Sequence, residues 1–155
     1  MHKPEIEPNI AIGMLRRAQL NPERTALIFE EKTFSYGGFA QLVRQQAKLL
    51  QDSGVCMGDR VGFVGFNQPA FLETLFAANA LGAIFVPLNF RLTAEELKFI
   101  INDAGLHTLV CDAPMQDVID PVNGEFCCRE YFGAQSNLAG CRSLTVELSA
   151  PTAMQ

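Results

Sequence analysis

Some stretches of the chain carry apolar residues every three or four positions, the spacing that places them on one face of an α-helix. One such stretch lies between Ser35, a good N-cap residue, and Gly54, which suits the left-handed conformation at a helix end. A second, shorter helix is predicted over residues 10–18 and ends before Asn21 and Pro22. The longer helix is expected to bury Phe39, Leu42, Val43, Ala47 and Leu50.

Three other stretches are mostly apolar and too short for helices, and we predict that they are strands. They cover residues 61–66, 83–86 and 108–111, and each follows a segment that ends in glycine. Unbroken apolar strands are typical of a parallel sheet that helices cover on both faces. The sequence therefore predicts an α/β fold with a mostly parallel sheet flanked by helices and right-handed crossovers. Gly62 and Gly65, inside the first strand, are expected to allow close packing on the sheet.

Two helices are predicted between these strands. The first is expected to have Asn67 as its N-cap and Pro69 in its first turn, where a missing N–H costs little. The second begins with Thr93 and Glu96, which fit a capping box. Replacing a core leucine of the first helix, as in Leu75→Ala, should cost about 2–5 kcal/mol. The residues expected on the buried face of that helix are Phe71, Leu72, Leu75 and Phe76.

Shorter elements are predicted on either side of this region. Residues 25–29 and 33–34 flank a polar triplet, a pattern that indicates a short N-terminal hairpin. After Cys111, a helix is predicted from Asp112 through Ile119, followed by a strand over residues 125–129.

The domain organisation follows from where these signals fade. Residues 1–128 are predicted to form a partial N-terminal α/β domain. Residues 129–155 are rich in Ala, Ser and Gly, and they are predicted to form a loosely structured tail, with a strand at residues 145–148 as an alternative.

Composition excludes several classes of protein. The net charge of -5 and the lack of a basic stripe argue against nucleic acid as a partner. The first residues lack the apolar core of a signal peptide, and residues 71–90 are interrupted by polar residues, so no transmembrane segment is predicted. The 5 cysteines include no CxxC pair, which favours free thiols, no metal site and a cytoplasmic location.

No catalytic residue can be assigned from the sequence. Gly62 and Gly65 lie inside a strand and do not open a helix, so they are not a dinucleotide fingerprint. No GxxxxGK motif occurs. His107 lies at the start of an apolar run and is interpreted as structural, and no nucleophile, base and orienting acid can be combined with it. The Glu95–Glu96 pair lies in the first turn of a helix, where negative charge suits the helix dipole.

Five segments nevertheless follow one another at a familiar spacing. Together they resemble the N-terminal part of AMP-forming acyl-CoA synthetases of the adenylate-forming superfamily, and most of all bacterial fatty-acid–CoA ligases. The resemblance extends over about residues 9–119. The five segments are NPERTALIF (21–29), TFSY (33–36), GDRV (58–61), ANALGAIFVPLN (78–89) and RLTAEEL (91–97).

This resemblance implies a two-step reaction. ATP and Mg²⁺ convert a carboxylic acid, here a fatty acid, into an acyl-adenylate with release of pyrophosphate, and CoA then displaces AMP to give the thioester. In the family, the phosphate-binding loop and the catalytic lysine lie after the segment seen here. We therefore expect the 155-residue chain to be inactive on its own and to bind none of these ligands tightly. A truncated or frameshifted gene, or an expressed fragment, would account for such a sequence.

Arg91 is the one candidate binding residue. It lies in a loop between a predicted strand and a predicted helix, and the resemblance implies a contact with the nucleotide part of CoA, because a guanidinium donates paired bonds to phosphate. The alternative is a pair with Glu95 one turn further on. Asn89 is expected to support the turn by bonding to the backbone.

Two other functions remain open on the sequence alone. The chain could be a stand-alone α/β module that binds a nucleotide or CoA. It could also be an interaction protein that forms a homodimer through exposed apolar surface.

Overall fold

The computed structural model describes residues 9–134 and has a four-stranded parallel sheet as its centre. The strand order is β4-β3-β5-β6, and β1 and β2 form a separate antiparallel pair. The predicted fold class and the hairpin are confirmed. The elements, in chain order, are α1 (Ile10–Leu20), β1 (Thr25–Phe29), β2 (Lys32–Ser35), α2 (Tyr36–Asp52), β3 (Arg60–Val64), α3 (Pro69–Ala80), β4 (Ile84–Leu88), α4 (Ala94–Asp103), β5 (Thr108–Asp112), α5 (Ala113–Ile119), a 3₁₀ turn (Asp120–Glu125) and β6 (Glu130–Ala134).

Each face of the sheet carries its own hydrophobic core. Successive side chains of a strand point to opposite faces. Phe63 accordingly packs in the core that contains residues of α1, α2 and α3, whereas its neighbour Val64 packs in the core that contains residues of α4 and α5. Because β3 and β5 are the two inner strands, helices cover both of their faces, and this explains why their sequences are almost continuously apolar.

Helix starts follow the predicted capping chemistry at Ser35 and Thr93 but not at Asn67. Ser35 accepts a hydrogen bond from Gly38 N–H, and Thr93 and Glu96 form the predicted capping box. Asp112 caps α5. The prediction for α3 was wrong, because its N-cap is Gln68, without a side-chain bond to the helix, and not Asn67.

The buried face of α3 also differs from the prediction. The residues that α3 buries are small, namely Pro69, Ala70, Thr74, Ala77 and Ala78. Phe71, Leu72 and Phe76 are only half-buried at the border of the core, and Leu75 is half-buried outside both cores. Small residues allow a helix to approach closely, and α3 packs on α2 as well as on the sheet. The predicted face is therefore confirmed in part, because three of its four residues pack against the core and Leu75 does not.

Two strands lie further along the chain than predicted. The strand β4 continues through Pro87. Proline has no backbone N–H, and an edge strand tolerates this because an N–H on its open side would have no partner strand. The last strand is β6 at Glu130–Ala134, where 125–129 was predicted, so five residues of the predicted tail belong to the sheet. The predicted strand at residues 145–148 lies outside the described residues.

The strand order creates a switch point between β3 and β5. From β3 the chain passes to β4 on one side, and it then returns to place β5 on the other side. The helices that follow β3 and β4 pack on opposite faces of the sheet. In open α/β sheets, ligands bind outside the carboxyl ends of the strands at such a point. The loops that leave β3, β4 and β5 are therefore the candidate ligand site.

Candidate functional site

The carboxyl edge of the sheet consists here of the β3–α3 loop (residues 65–68), the β4–α4 loop (residues 89–93) and Asp112 at the end of β5. Asp112 is 2% exposed, and its carboxylate joins two of these strand ends. One oxygen, Oδ2, accepts hydrogen bonds from Phe66 N–H at 2.7 Å and from Gln68 Nε2 at 3.1 Å. The other, Oδ1, accepts from Met115 N–H at 3.2 Å as the N-cap of α5. Asp112 thus holds the β3–α3 loop against β5.

Gly65 is the residue that makes room for this carboxylate. A Cβ atom at position 65 would lie 2.6 Å from both Cγ and Oδ2 of Asp112. Gly62 likewise leaves no space for a Cβ, because the Leu106 side chain lies against its Cα. The prediction that both glycines allow close packing on the sheet is confirmed. At Gly65, the group that packs closely is the Asp112 carboxylate.

The β4–α4 loop is shaped by Asn89. Its side-chain oxygen accepts a hydrogen bond from Arg91 N–H at 3.0 Å, and its backbone oxygen accepts one from Leu92 N–H at 3.2 Å. This is the side-chain-to-backbone turn that the sequence predicts for Asn89. The turn places Phe90 and Arg91 at the rim of the carboxyl edge.

Phe66, Phe90 and Arg91 form a stack at this rim. The ring centroids of Phe66 and Phe90 are 4.5 Å apart, and the Cζ atom of Arg91 lies 5.3 Å from the Phe90 centroid. An arginine over an aromatic face is a cation–π arrangement that holds the guanidinium plane without using its N–H donors. The donors of Arg91 therefore remain available for an anion.

Arg91 does not form the predicted alternative pair with Glu95. The Glu95 carboxylate lies 2.6 Å from Lys98 Nζ, which also bonds to Glu125 at 3.0 Å. Arg91 is exposed and has no carboxylate partner among residues 9–134. The prediction of an Arg91–Glu95 pair is wrong because Lys98 is one helical turn from Glu95 and competes for the same carboxylate.

The capping box of α4 completes the β4–α4 loop. The Glu96 carboxylate accepts from Thr93 N–H at 2.8 Å and from the Thr93 hydroxyl at 2.9 Å. The bond from the Thr93 backbone, followed by that from its hydroxyl, lowers the pKa of Glu96 below its ordinary value. The ionised form of Glu96 therefore stabilises the start of α4.

The described thiols and the described histidine lie away from this loop cluster or are inert. Burial raises the pKa values of Cys111 and Cys128 to about 12, so both are protonated at neutral pH and poor nucleophiles. His107 lies at the opposite end of β5, where its Nδ1 is 2.8 Å from the Thr108 hydroxyl. Within residues 9–134, no three His, Cys, Asp or Glu side chains are grouped so that they could hold a metal ion. Neither buried thiol is therefore a candidate nucleophile for this site.

Sequence reasoning missed the link from Asp112 to the β3–α3 loop. Asp112 was predicted only as the start of a helix, although an acidic residue that directly follows a buried strand at a switch point is a usable signal. Its partner Phe66 is 46 positions away in sequence, and only the strand order brings the two together. Phe66 was assigned to the end of a strand, and its stack with Phe90 was not foreseen.

Comparison with known proteins places this segment within a family. Residues 14–138 match the family of AMP-binding enzymes. A feruloyl-CoA synthase of Amycolatopsis sp is 43% identical over 96 residues, which cover 62% of this chain and 20% of the relative. The long-chain-fatty-acid–CoA ligase FadD13 of Mycobacterium tuberculosis is 32% identical over 120 residues, covering 76% of this chain and 24% of the relative.

A solved structure agrees with the sequence matches. The N-terminal domain of FACL13 from Mycobacterium tuberculosis aligns with a TM-score of 0.74 at 30% identity, over 81% of this chain and 33% of that domain. No described helix is long and apolar enough to cross a membrane. The chain spans about a fifth to a quarter of the length of the curated relatives. With four fifths of its residues matched to the family, the chain belongs to the AMP-binding enzymes, the adenylate-forming superfamily predicted from its sequence.

Proposed function

We propose that these residues are the N-terminal part of an acid–CoA ligase, in which they provide the scaffold and Arg91 contacts the phosphates of CoA. The observation that supports this most is the family match over residues 14–138, combined with relatives whose names describe acid–CoA ligation. The exposed guanidinium of Arg91, held on Phe90 with its donors free, suits a phosphate group.

The complete enzyme would use ATP, Mg²⁺ and CoA. ATP supplies the adenylate that activates the carboxyl group, and Mg²⁺ offsets phosphate charge. Residues 9–134 contain no carboxylate cluster suited to Mg²⁺, so its protein ligands would lie outside them. The sequence also has no lysine after a glycine-rich loop. For these reasons the 155-residue chain by itself is expected to release no pyrophosphate from ATP with any carboxylic acid, and measurable release would contradict this expectation.

A fatty acid is the proposed acid, and an aromatic acid is the alternative. Similarity to FadD13 and to the FACL13 domain supports the first, whereas the higher identity to a feruloyl-CoA synthase supports the second. The two matches cover similar parts of this chain and differ in the acid that the relatives' names state. The choice therefore has to be measured.

A chimera tests the proposed function. Residues 14–138 would replace the matching segment of FadD13, and thioester formation would be assayed with long-chain fatty acids and with ferulate. The chimera is expected to form acyl-CoA, with melting followed by circular dichroism as the folding control. A folded chimera that forms no thioester with either class of acid would contradict the proposal.

The predicted homodimer is a separate proposal that concerns the 155-residue chain alone. Large apolar side chains are exposed on several elements, among them Leu20 (68%), Ile28 (67%) and Phe99 (69%). Burial of such side chains against a second copy would be favourable. Sedimentation equilibrium is expected to detect a dimer, and a monomer at high concentration would rule the dimer out.

A further inference from the structure

Asp112 is a buried carboxylate whose partners among the described residues are all neutral donors. No salt bridge to it is formed within residues 9–134. A buried carboxylate costs free energy unless hydrogen bonds replace its lost water. Here Phe66 N–H, Gln68 Nε2 and Met115 N–H supply those bonds. Two of the three donors belong to the β3–α3 loop, so the carboxylate binds mainly to that loop.

The loop needs this anchor because its aromatic residue is not held by the core. The Phe66 side chain is 46% exposed, and it belongs to neither hydrophobic core. Its position is fixed on one side by the backbone bond to Asp112 and on the other by the Phe90 ring. Loss of the Asp112 bond would therefore free the ring to leave the stack.

An unbroken series of contacts connects Asp112 to Arg91. The carboxylate holds Phe66 N–H at 2.7 Å, the Phe66 ring packs on Phe90 at 4.5 Å, and the Arg91 guanidinium lies over Phe90 at 5.3 Å. The series joins the ends of β5 and β3, which flank the switch point, to the end of β4 beside β3. Gly65 lies beneath it and admits the carboxylate only because it lacks a Cβ.

We propose that Asp112 is a positioning residue for Arg91. By anchoring Phe66, Asp112 fixes the Phe90 ring, and this ring holds the Arg91 guanidinium where it can bind a CoA phosphate. The CoA part of this inference rests on the proposed function. The positioning part does not, since it concerns contacts within the chain.

Two variants disturb the anchor from opposite sides. In Asp112→Ser, the short hydroxyl can still cap α5 through Met115 N–H but no longer accepts from Phe66 N–H and Gln68 Nε2. Gly65→Ala keeps the carboxylate but drives it away through contact with the new methyl group. The matched control is Asp59→Asn at the opposite end of β3, where Asp59 Oδ2 accepts the Cys56 N–H at 2.8 Å.

The readout is the proton NMR spectrum of the Arg91 side chain in the full 155-residue chain. Protons above an aromatic face resonate upfield, so the Arg91 δ-protons should be shifted upfield in the wild type, and Phe90→Leu should abolish the shift. Both Asp112→Ser and Gly65→Ala are expected to lose most of the shift, whereas Asp59→Asn retains it. An unchanged shift in either anchor variant, or an equal loss in the control, would overturn the proposal. Because Asp112→Ser leaves a helix-capping side chain in place, the test does not depend on the folding of one variant.

A second readout separates this inference from the proposed function. In the chimera, Asp112→Ser should raise KM for CoA, by no more than the factor found for Arg91→Ala, and leave kcat unchanged. A rise for Arg91→Ala without one for Asp112→Ser would overturn the positioning role. If the NMR shift is lost but neither variant changes KM, the proposed contact of Arg91 with CoA is wrong. The inferred link from Asp112 to CoA is then wrong as well, but the series of contacts from Asp112 to Arg91 is confirmed.

Discussion

The two ends of the parallel sheet are built in different ways. At the amino edge, which comprises residues 56–60, 82–84, 106–107 and 127–129, the connecting segments are joined by backbone hydrogen bonds. These run from Gly58 N–H to Gly82 O (2.9 Å), from Ile84 N–H to Asp59 O (2.7 Å), from His107 N–H to Arg60 O (2.9 Å) and from Arg129 N–H to His107 O (2.9 Å). At the carboxyl edge, the side chains of Asp112 and Asn89 hold the loops.

This difference separates structural loops from loops that can carry function. Backbone bonds form with almost any side chain, so the amino edge constrains sequence mainly through backbone conformation. The carboxyl edge depends on side-chain identity at Asp112, Gly65 and Asn89, and it presents Phe66, Phe90 and Arg91 to solvent. Substitutions of matched residues at the two edges should therefore have unequal effects.

The largest expected difference is between Asp112→Ala and Asp59→Ala. Removing Asp112 leaves buried donors unsatisfied and uncaps α5, which should lower the free energy of unfolding by about 2–4 kcal/mol. Asp59→Ala removes one exposed bond and should cost about 0.5–1 kcal/mol. Urea unfolding of the 155-residue chain measures both values, and equal losses would contradict the contrast between the edges.

An intermediate effect is expected from a glycine of the amino edge. Gly82 has φ of +71°, which costs a residue with a Cβ about 1–2 kcal/mol, so Gly82→Ala should destabilise by that amount. Gly13, inside α1 with open space around it, is the control, and Gly13→Ala should stabilise by about 0.5–1 kcal/mol. Thermal melting distinguishes the two signs. A loss of stability in Gly13→Ala, or none in Gly82→Ala, would contradict this assignment of the two effects to backbone conformation.

A smaller, pH-dependent effect is expected at the capping box. Hydrogen bonds from Thr93 lower the folded-state pKa of Glu96 below its ordinary value of 4.5. The stability contributed by its ionised form is therefore fully present above that ordinary value and is lost as the pH falls through the lowered pKa. The stability difference between wild type and Glu96→Gln should be largest near pH 7 and shrink in acid. In a Thr93→Val background the difference should be smaller, and a difference independent of pH would refute this account.

The fold could be predicted from local patterns because those patterns reflect local physics. Apolar runs, glycine at helix ends and the Thr93–Glu96 box each act within a few residues, and the structure confirms them. The prediction for α3 was incomplete, because large residues usually mark a core, whereas close approach to α2 and to the sheet places Ala70, Ala77 and Ala78 among its most buried residues. The Asp112 anchor depends on strand order, which no local pattern contains, and the choice of Lys98 as the partner of Glu95 depends on competition between cations.

The most direct test of the whole account compares two exposed arginines, one at each edge, in the chimera with FadD13. Arg91 lies at the carboxyl edge and Arg129 at the amino edge. Each change to alanine should alter the stability by no more than about 0.5–1 kcal/mol. Arg91→Ala is expected to raise KM for CoA while kcat is maintained, and Arg129→Ala is expected to leave both constants unchanged. An unchanged KM for Arg91→Ala, or an equal rise for both variants, would contradict the assignment of the carboxyl edge as the CoA-facing side.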